Sequence, residues 1–344
     1  MPGPVVTADR AELSIPDPDR RWDAVRLEVD WVCDSPRAFA LTDGCWTLTL
    51  PRPAAWRLEY RLSLHRDGQQ EWIADPTNPR QVGNPFGVRS ELRFPDYREP
   101  AWLLTPPGGD VRPISAPRVA GAPALGVAVR LWTPDGLDPT TAAPLLLVHD
   151  GSDLADRGGL LSWATARSRV APLRIALLDP APGRRQDQYA ADPAYADHLA
   201  DAVIPALTST VATSTVVGLG ASLGALAWLY LHRRHPDAVD ALALQSGSFF
   251  TRELDAQESG WAPFDRICDE VVAMSRPVPD GRVIPLLMTC GAIEENLANN
   301  RALAAALVDQ GYPVELIVNP DAHTTVGWRD VWFPALDELL TDHS

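Results

Sequence analysis

Val216-Val217-Gly218-Leu219-Gly220-Ala221-Ser222-Leu223-Gly224-Ala225-Leu226-Ala227-Trp228 decides how the rest of the chain is read. An apolar run of strand type leads into Gly220-Ala221-Ser222-Leu223-Gly224, and good helix formers follow at once. A serine between glycines at this spacing, with a strand before it and a helix after it, is the pattern of a nucleophile elbow. The tight turn lifts the hydroxyl clear of the sheet, and the glycines let strand and helix approach closely. A helix starting at Leu223 aims its unpaired N–H groups at the same point. The bland alternative is a plain β–turn–helix corner, so the flanking chain has to decide.

Working outward, residues 127–132, 144–149 and 175–179 are predicted strands before the elbow, and 241–245, 285–290 and 314–318 after it. The run 144–149 is continuously apolar, as a central parallel strand requires. Helical stretches are expected over 195–206, 296–310 and 330–340. Strands alternating with helices of this length predict a doubly wound, mostly parallel sheet. Nearer the N-terminus the period changes to two. Residues 25–32, 45–50 and 56–62 alternate apolar and polar side chains between turn signals, which predicts a small β-sandwich. Residues 75–79 are expected to leave that sandwich as a turn-rich segment. The Pro-rich connection ending at Gly109 sets the expected boundary between an all-β domain, 1–110, and a catalytic domain, 111–344.

A length of 344 residues accommodates these two domains. The net charge is −15 and every basic residue is Arg, which argues against a nucleic-acid or anionic-membrane surface. The N-terminus shows neither a basic nor an apolar leader segment, so no signal peptide is expected, and no apolar run is long enough for a bilayer. Cys33, Cys45, Cys268 and Cys290 are scattered and form no metal-ligand pair. They are read as free thiols, although Cys33 and Cys45 could face each other on adjacent strands. A reducing cytoplasm fits this usage.

A serine needs a base. His65 lies in the β region, His198, His232 and His235 fall on predicted helices, His343 is terminal and His149 ends a strand. His323 follows the last strand and lies downstream of Ser222, which is the chain order of a hydrolase triad. Glu294 and Glu295, after the strand 285–290, are both candidates for the orienting acid, with Asp321 a third. Either glutamate could instead cap the helix that follows. For the oxyanion, the Leu223 amide is one expected donor, and the loop His149-Asp150-Gly151-Ser152 is the expected source of a second.

His149-Asp150-Gly151, Gly220-Ala221-Ser222-Leu223-Gly224, Gln245-Ser246-Gly247-Ser248-Phe249-Phe250, Gly291-x-x-Glu294 with Asn300-Arg301, and His323 with Gly327-Trp328-Arg329 form an ordered set. Together they resemble the enterochelin esterase family of α/β-hydrolases. Trp56-x-x-x-Tyr60, Asp75-Pro76-x-Asn78-Pro79 and Ser90-x-Leu92 are similar to that family's early-set, immunoglobulin-like N-terminal domain. The resemblance implies a Ser222–His323–Glu294 triad and an oxyanion hole from the amides of Leu223 and Ser152. It implies hydrolysis of a catecholate siderophore inside the cell, with no metal or organic cofactor. Asp150, Arg185, Arg301 and Arg329 are the expected substrate-binding residues, the arginines, with Arg252 as a further candidate, because a ferric catecholate is anionic. The chain departs from the family at Gln188, where Glu is usual, and at Ala322-His323-Thr324, where Gly-His-Asp is usual. Other readings are a carbohydrate or feruloyl esterase, a general carboxylesterase, an acyltransferase, and a glycan-binding pseudoenzyme. Oligomeric state is not legible.

Overall fold

The computed structural model describes residues 3–32, 34–84, 87–116, 125–277 and 281–341. Cys33 and His343 lie outside them. The chain divides into two compact units. One comprises Met1–Glu99 together with Gly291–Glu295 and Val318–Gly327; the other comprises Pro100–Cys290, Asn296–Ile317 and Trp328–Ser344.

The first unit contains the all-β fold. Its strands are β1 (Val5–Val6), β2 (Arg10–Pro16), β3 (Ala24–Glu28), β4 (Ala40–Thr42), β5 (Cys45–Pro51), β6 (Arg57–Arg66), β7 (Gln69–Ile73), β8 (Gln81–Asn84) and β9 (Gly87–Arg93). One sheet has the order β1-β2-β5-β4; the other runs β3-β6-β9-β8, with β7 also on β6. Period-two alternation turns Leu13 and Ile15 of β2, and Trp46, Leu48 and Leu50 of β5, into one core with Val25, Leu27, Leu58 and Leu62. The segment 75–79 does not leave this sandwich. Asp75 is fully buried and accepts from Tyr60 Oη at 2.7 Å and from the Thr77 amide at 2.8 Å, while Asn78 Nδ2 donates to Glu91 O at 2.9 Å. Turn residues here satisfy each other inside the domain, which sequence punctuation alone reads as an exit.

The second unit holds most of an eight-stranded sheet. After β10 (Asp110–Pro113) come β11 (Ala128–Thr133), β12 (Ala143–His149), β13 (Arg174–Asp179), β14 (Thr213–Ala221), β15 (Ala241–Gln245), β16 (Leu286–Gly291) and β17 (Val314–Asn319). Their order is β10-β11-β13-β12-β14-β15-β16-β17. The edge pairs β10–β11 and β11–β13 are antiparallel, and β13–β12, β12–β14, β14–β15 and β15–β16 are parallel. Leu145 and Leu147 of β12 pack into one core with Leu226 and Trp228, while Leu146 and Val148 pack into another with Trp163 and Trp332. A strand buried on both faces is why β12 reads as an unbroken apolar run. This is the α/β-hydrolase fold expected above, with the all-β sandwich ahead of it.

The final helix expected over 330–340 is interrupted. Thr325–Arg329 is helical, a π turn covers Trp332–Leu336, and Asp337–Thr341 resumes the α-helix. Pro334 has no N–H to give, and Phe333 before it takes the extended conformation, φ −116° and ψ 130°. Among the described residues, no helix is long and apolar enough to cross a membrane.

Candidate active site

Ser222 sits between β14 and the helix Leu223–Arg234 with φ +57° and ψ −123°. An L-residue is rarely found there, and the surroundings hold it. The Ser222 amide donates to Gln245 O at 2.8 Å, and the Ser248 amide donates to Ser222 O at 3.2 Å. A Cβ on Gly220 would collide with the carbonyl of Gly224, so the turn closes only with glycine at 220. The Ser222 Oγ is 3.1 Å from the Ser248 Oγ. Leu223 is the first helical residue, so its N–H has no carbonyl one turn back to bond to.

His149 lies beneath the elbow and is a core residue. It is fully buried, its Nδ1 donates to Gly224 O at 3.0 Å, and its ring stacks on Trp228 at 4.4 Å. Burial pushes its pKa down to about 3, which keeps it neutral. The next residue, Asp150, has φ +51° and receives Arg185 through both carboxylate oxygens, with Nε at 2.9 Å from each and Nη2 at 2.7 Å from Oδ2. Two of the expected substrate-binding groups therefore bond each other. Arg301 is exposed on the helix Leu297–Asp309, and Arg329 is buried with its Nε 3.1 Å from Asp330 Oδ1.

Ser152, the second expected oxyanion donor, bonds a carboxylate. Its amide donates to Asp179 Oδ1 at 3.0 Å, and its hydroxyl bonds the same carboxylate, which also meets Arg130 at 3.5 Å. A carboxylate at the end of the neighbouring β13 is a stronger acceptor than a carbonyl, and it occupies this amide.

In the first unit, His323 Nδ1 is 2.9 Å from Glu294 Oε2. Glu294 Oε1 accepts the Gly291 amide at 2.8 Å, and the carboxylate is buried, while Glu295 is exposed. Glu294 is thus the carboxylate that meets His323. Because it only accepts, Nδ1 carries the proton and Nε2 is left as the basic nitrogen. Asp321, the third candidate, faces a different partner. It accepts from the fully buried Arg57 at 3.2 and 3.3 Å. Arg57 is a residue that sequence reasoning missed. Ser248 was quoted only within a motif; its place after the carboxyl end of β15 was the available signal.

A doubly wound sheet with a serine on a strained elbow defines the α/β-hydrolase class. A family model described as “Putative esterase” matches residues 124–314, more than half of the chain. The chain belongs to that esterase family. No match was found among curated protein sequences. Among solved structures, enterochelin esterase from Shigella flexneri is 18% identical, with a TM-score of 0.68 over 98% of this chain and 97% of that one. Ferric enterobactin esterase from Salmonella typhimurium is 18% identical, with a TM-score of 0.68 over 96% and 95%. A ferulic acid esterase is 15% identical, with a TM-score of 0.56 over 69% of this chain and 99% of that one. At these identities the likeness establishes the fold.

Proposed function

We propose that this esterase is a serine enzyme using Ser222, His323 and Glu294. Ser222 Oγ attacks the ester carbonyl, His323 Nε2 takes the proton and later delivers it to the leaving alkoxide, and Glu294 holds the imidazole. Water then hydrolyses the acyl-enzyme by the same route. The Leu223 amide donates to the oxyanion, a bond worth roughly 3–4 kcal/mol of transition-state stabilisation. The observation that carries the reading is the Ser222 backbone at φ +57° and ψ −123°. Strain on the order of 1–3 kcal/mol persists where function needs a pre-organised group. The 2.9 Å His323–Glu294 bond supports the assignment of base and acid.

The favoured substrate is a catecholate, enterobactin-like siderophore, hydrolysed in the cytoplasm to release iron. Support comes from likeness along nearly the whole chain to a Shigella esterase solved in the presence of enterobactin and of 2,3-dihydroxy-N-benzoyl-serine. Free thiols at Cys45 and Cys268 are consistent with a reducing compartment. A less charged carboxylic ester is the second reading. It draws on Arg185, which already has its counter-ion in Asp150 rather than awaiting an anionic substrate.

The test is to incubate the protein with ferric and iron-free enterobactin and with p-nitrophenyl butyrate, and to label it with a fluorophosphonate. Cleavage of the simple ester alone selects the second reading. Labelling that survives in Ser222→Ala removes the serine mechanism, and failure of any ester to react supports a pseudoenzyme.

A further inference from the structure

The loops carrying His323 and Glu294 belong to the same compact unit as the β-sandwich. The Trp56 amide donates to Pro320 O at 2.8 Å, and the Val32 amide donates to Ile293 O at 2.9 Å. One guanidinium joins the sandwich to the histidine loop through side chains. Arg57 is the first residue of β6 and has no exposed surface. Its Nε bonds Glu91 Oε1 at 2.7 Å, and its Nη2 bonds Glu59 Oε1 at 2.6 Å. Its Nη1 bonds both oxygens of Asp321, and also Thr324 Oγ1 at 2.9 Å. Asp321 and Thr324 bracket His323 in sequence.

Two features separate this arrangement from a plain structural ion pair. Glu59 and Glu91 are directly opposite each other across β6 and β9, a like-charge pair that Arg57 between the strands and Arg93, whose Nε bonds Glu91 Oε2 at 2.6 Å, offset together. The extra reach to Asp321 and Thr324 is not needed for that. Burial of a guanidinium among carboxylates is also a poor route to stability, since apolar replacements of such clusters are often as stable or more so. What the cluster does supply is direction: a fork of N–H groups fixes the planes of its acceptors. Asp321 is further wedged between two glycines. A Cβ on Gly291 would strike the Asp321 carbonyl, and one on Gly327 would lie 3.1 Å from the Asp321 side chain. The Thr324 Oγ1 that receives Arg57 accepts the Gly327 amide at 2.9 Å, so the loop is braced on both sides of His323.

We propose that Arg57 is a positioning residue for His323, holding its loop in register with Glu294 through Asp321 and Thr324. The proposal rests on His323 being the base of the esterase. Thr324→Val removes the hydroxyl while leaving the Arg57 contacts to Glu59, Glu91 and Asp321; Arg57→Met removes the whole fork. The readouts are kcat and KM for p-nitrophenyl butyrate, the fluorophosphonate labelling rate of Ser222, and the low-field proton resonance of His323 Nδ1–H. A displacement of about 1 Å lowers rates up to roughly 100-fold. The expected result is therefore a kcat lowered at least about tenfold with KM within about twofold, and a His323 resonance that is broadened or lost. Should Arg57→Met fail to fold, Thr324→Val decides alone. A folded variant that keeps the resonance overturns the proposal, even if its Tm is lower, and so does a lost resonance with unchanged kcat. If wild-type Ser222 is not labelled, the triad reading falls; the resonance in Thr324→Val then decides the positioning role separately, loss supporting it and retention overturning it.

Discussion

Replacing Ser222 by glycine should make the protein more stable than replacing it by alanine. Both changes remove the hydroxyl and its 3.1 Å contact with Ser248, so comparing them isolates the backbone. At φ +57° and ψ −123° an alanine keeps the Cβ and its strain, on the order of 1–3 kcal/mol. Glycine accepts this conformation readily, because it mirrors an extended one that L-residues favour. Against that relief stands the greater freedom of glycine in the unfolded chain, roughly 0.4–1 kcal/mol. The net expectation is about 1 kcal/mol in favour of glycine, or about 2–4 °C in Tm for a domain of this size. Urea unfolding followed by tryptophan fluorescence, with Trp228 buried behind the elbow, measures the difference. Both variants should be inactive. A Ser222→Gly protein no more stable than Ser222→Ala would refute the claim that the fold holds this serine under strain, and with it the observation on which the mechanism rests.

Glu294→Gln keeps the shape of the acid but not its charge, and kcat should fall about 10³–10⁴-fold; a loss under tenfold would remove Glu294 from the mechanism. Burial raises the Asp321 carboxyl from 3.8 to about 6, despite the opposing pull of Arg57. Between those values the folded state holds a proton that the unfolded state lacks, so this contribution to stability falls as pH rises and levels off above about 6. Urea midpoints across that window should lose this slope in Asp321→Asn, and an unchanged slope would contradict the assignment. His149 acts in the opposite sense. Its folded value of about 3 lies below the ordinary 6.5, so stability is lost as pH falls below 6.5. The loss reaches about 3 kcal/mol by pH 4 and should be absent in His149→Phe.

The elbow was legible because its requirements are local: glycines at 220 and 224, a strand before and a helix after. Strands were legible because β12 of the hydrolase sheet is apolar on both faces and β5 of the sandwich alternates. Contacts between residues distant in sequence were not legible. Nothing near Arg57 marks it as the partner of residues 264 and 267 positions away. The edge strand β10 was not anticipated, because it is exposed and carries no inward pattern. Ser152 was implied by the family resemblance, and the carboxylate of Asp179 that its amide meets comes from another strand. Glu294 and Glu295 are equivalent as letters; only the turn after β16 decides which one faces His323.

Because the loops Gly291–Glu295 and Val318–Gly327 pack as part of the sandwich unit, the N-terminal β-domain is not an exchangeable cassette. A recombination event or a chimera that joins this hydrolase sheet to a different leading domain at residue 100 transfers Ser222 with its elbow whole. It leaves the Pro320 and Ile293 carbonyls without the amides of Trp56 and Val32, and Asp321 without Arg57. A donor domain therefore has to bring its own equivalents of these three attachments, which restricts the partners this hydrolase sheet can take by shuffling.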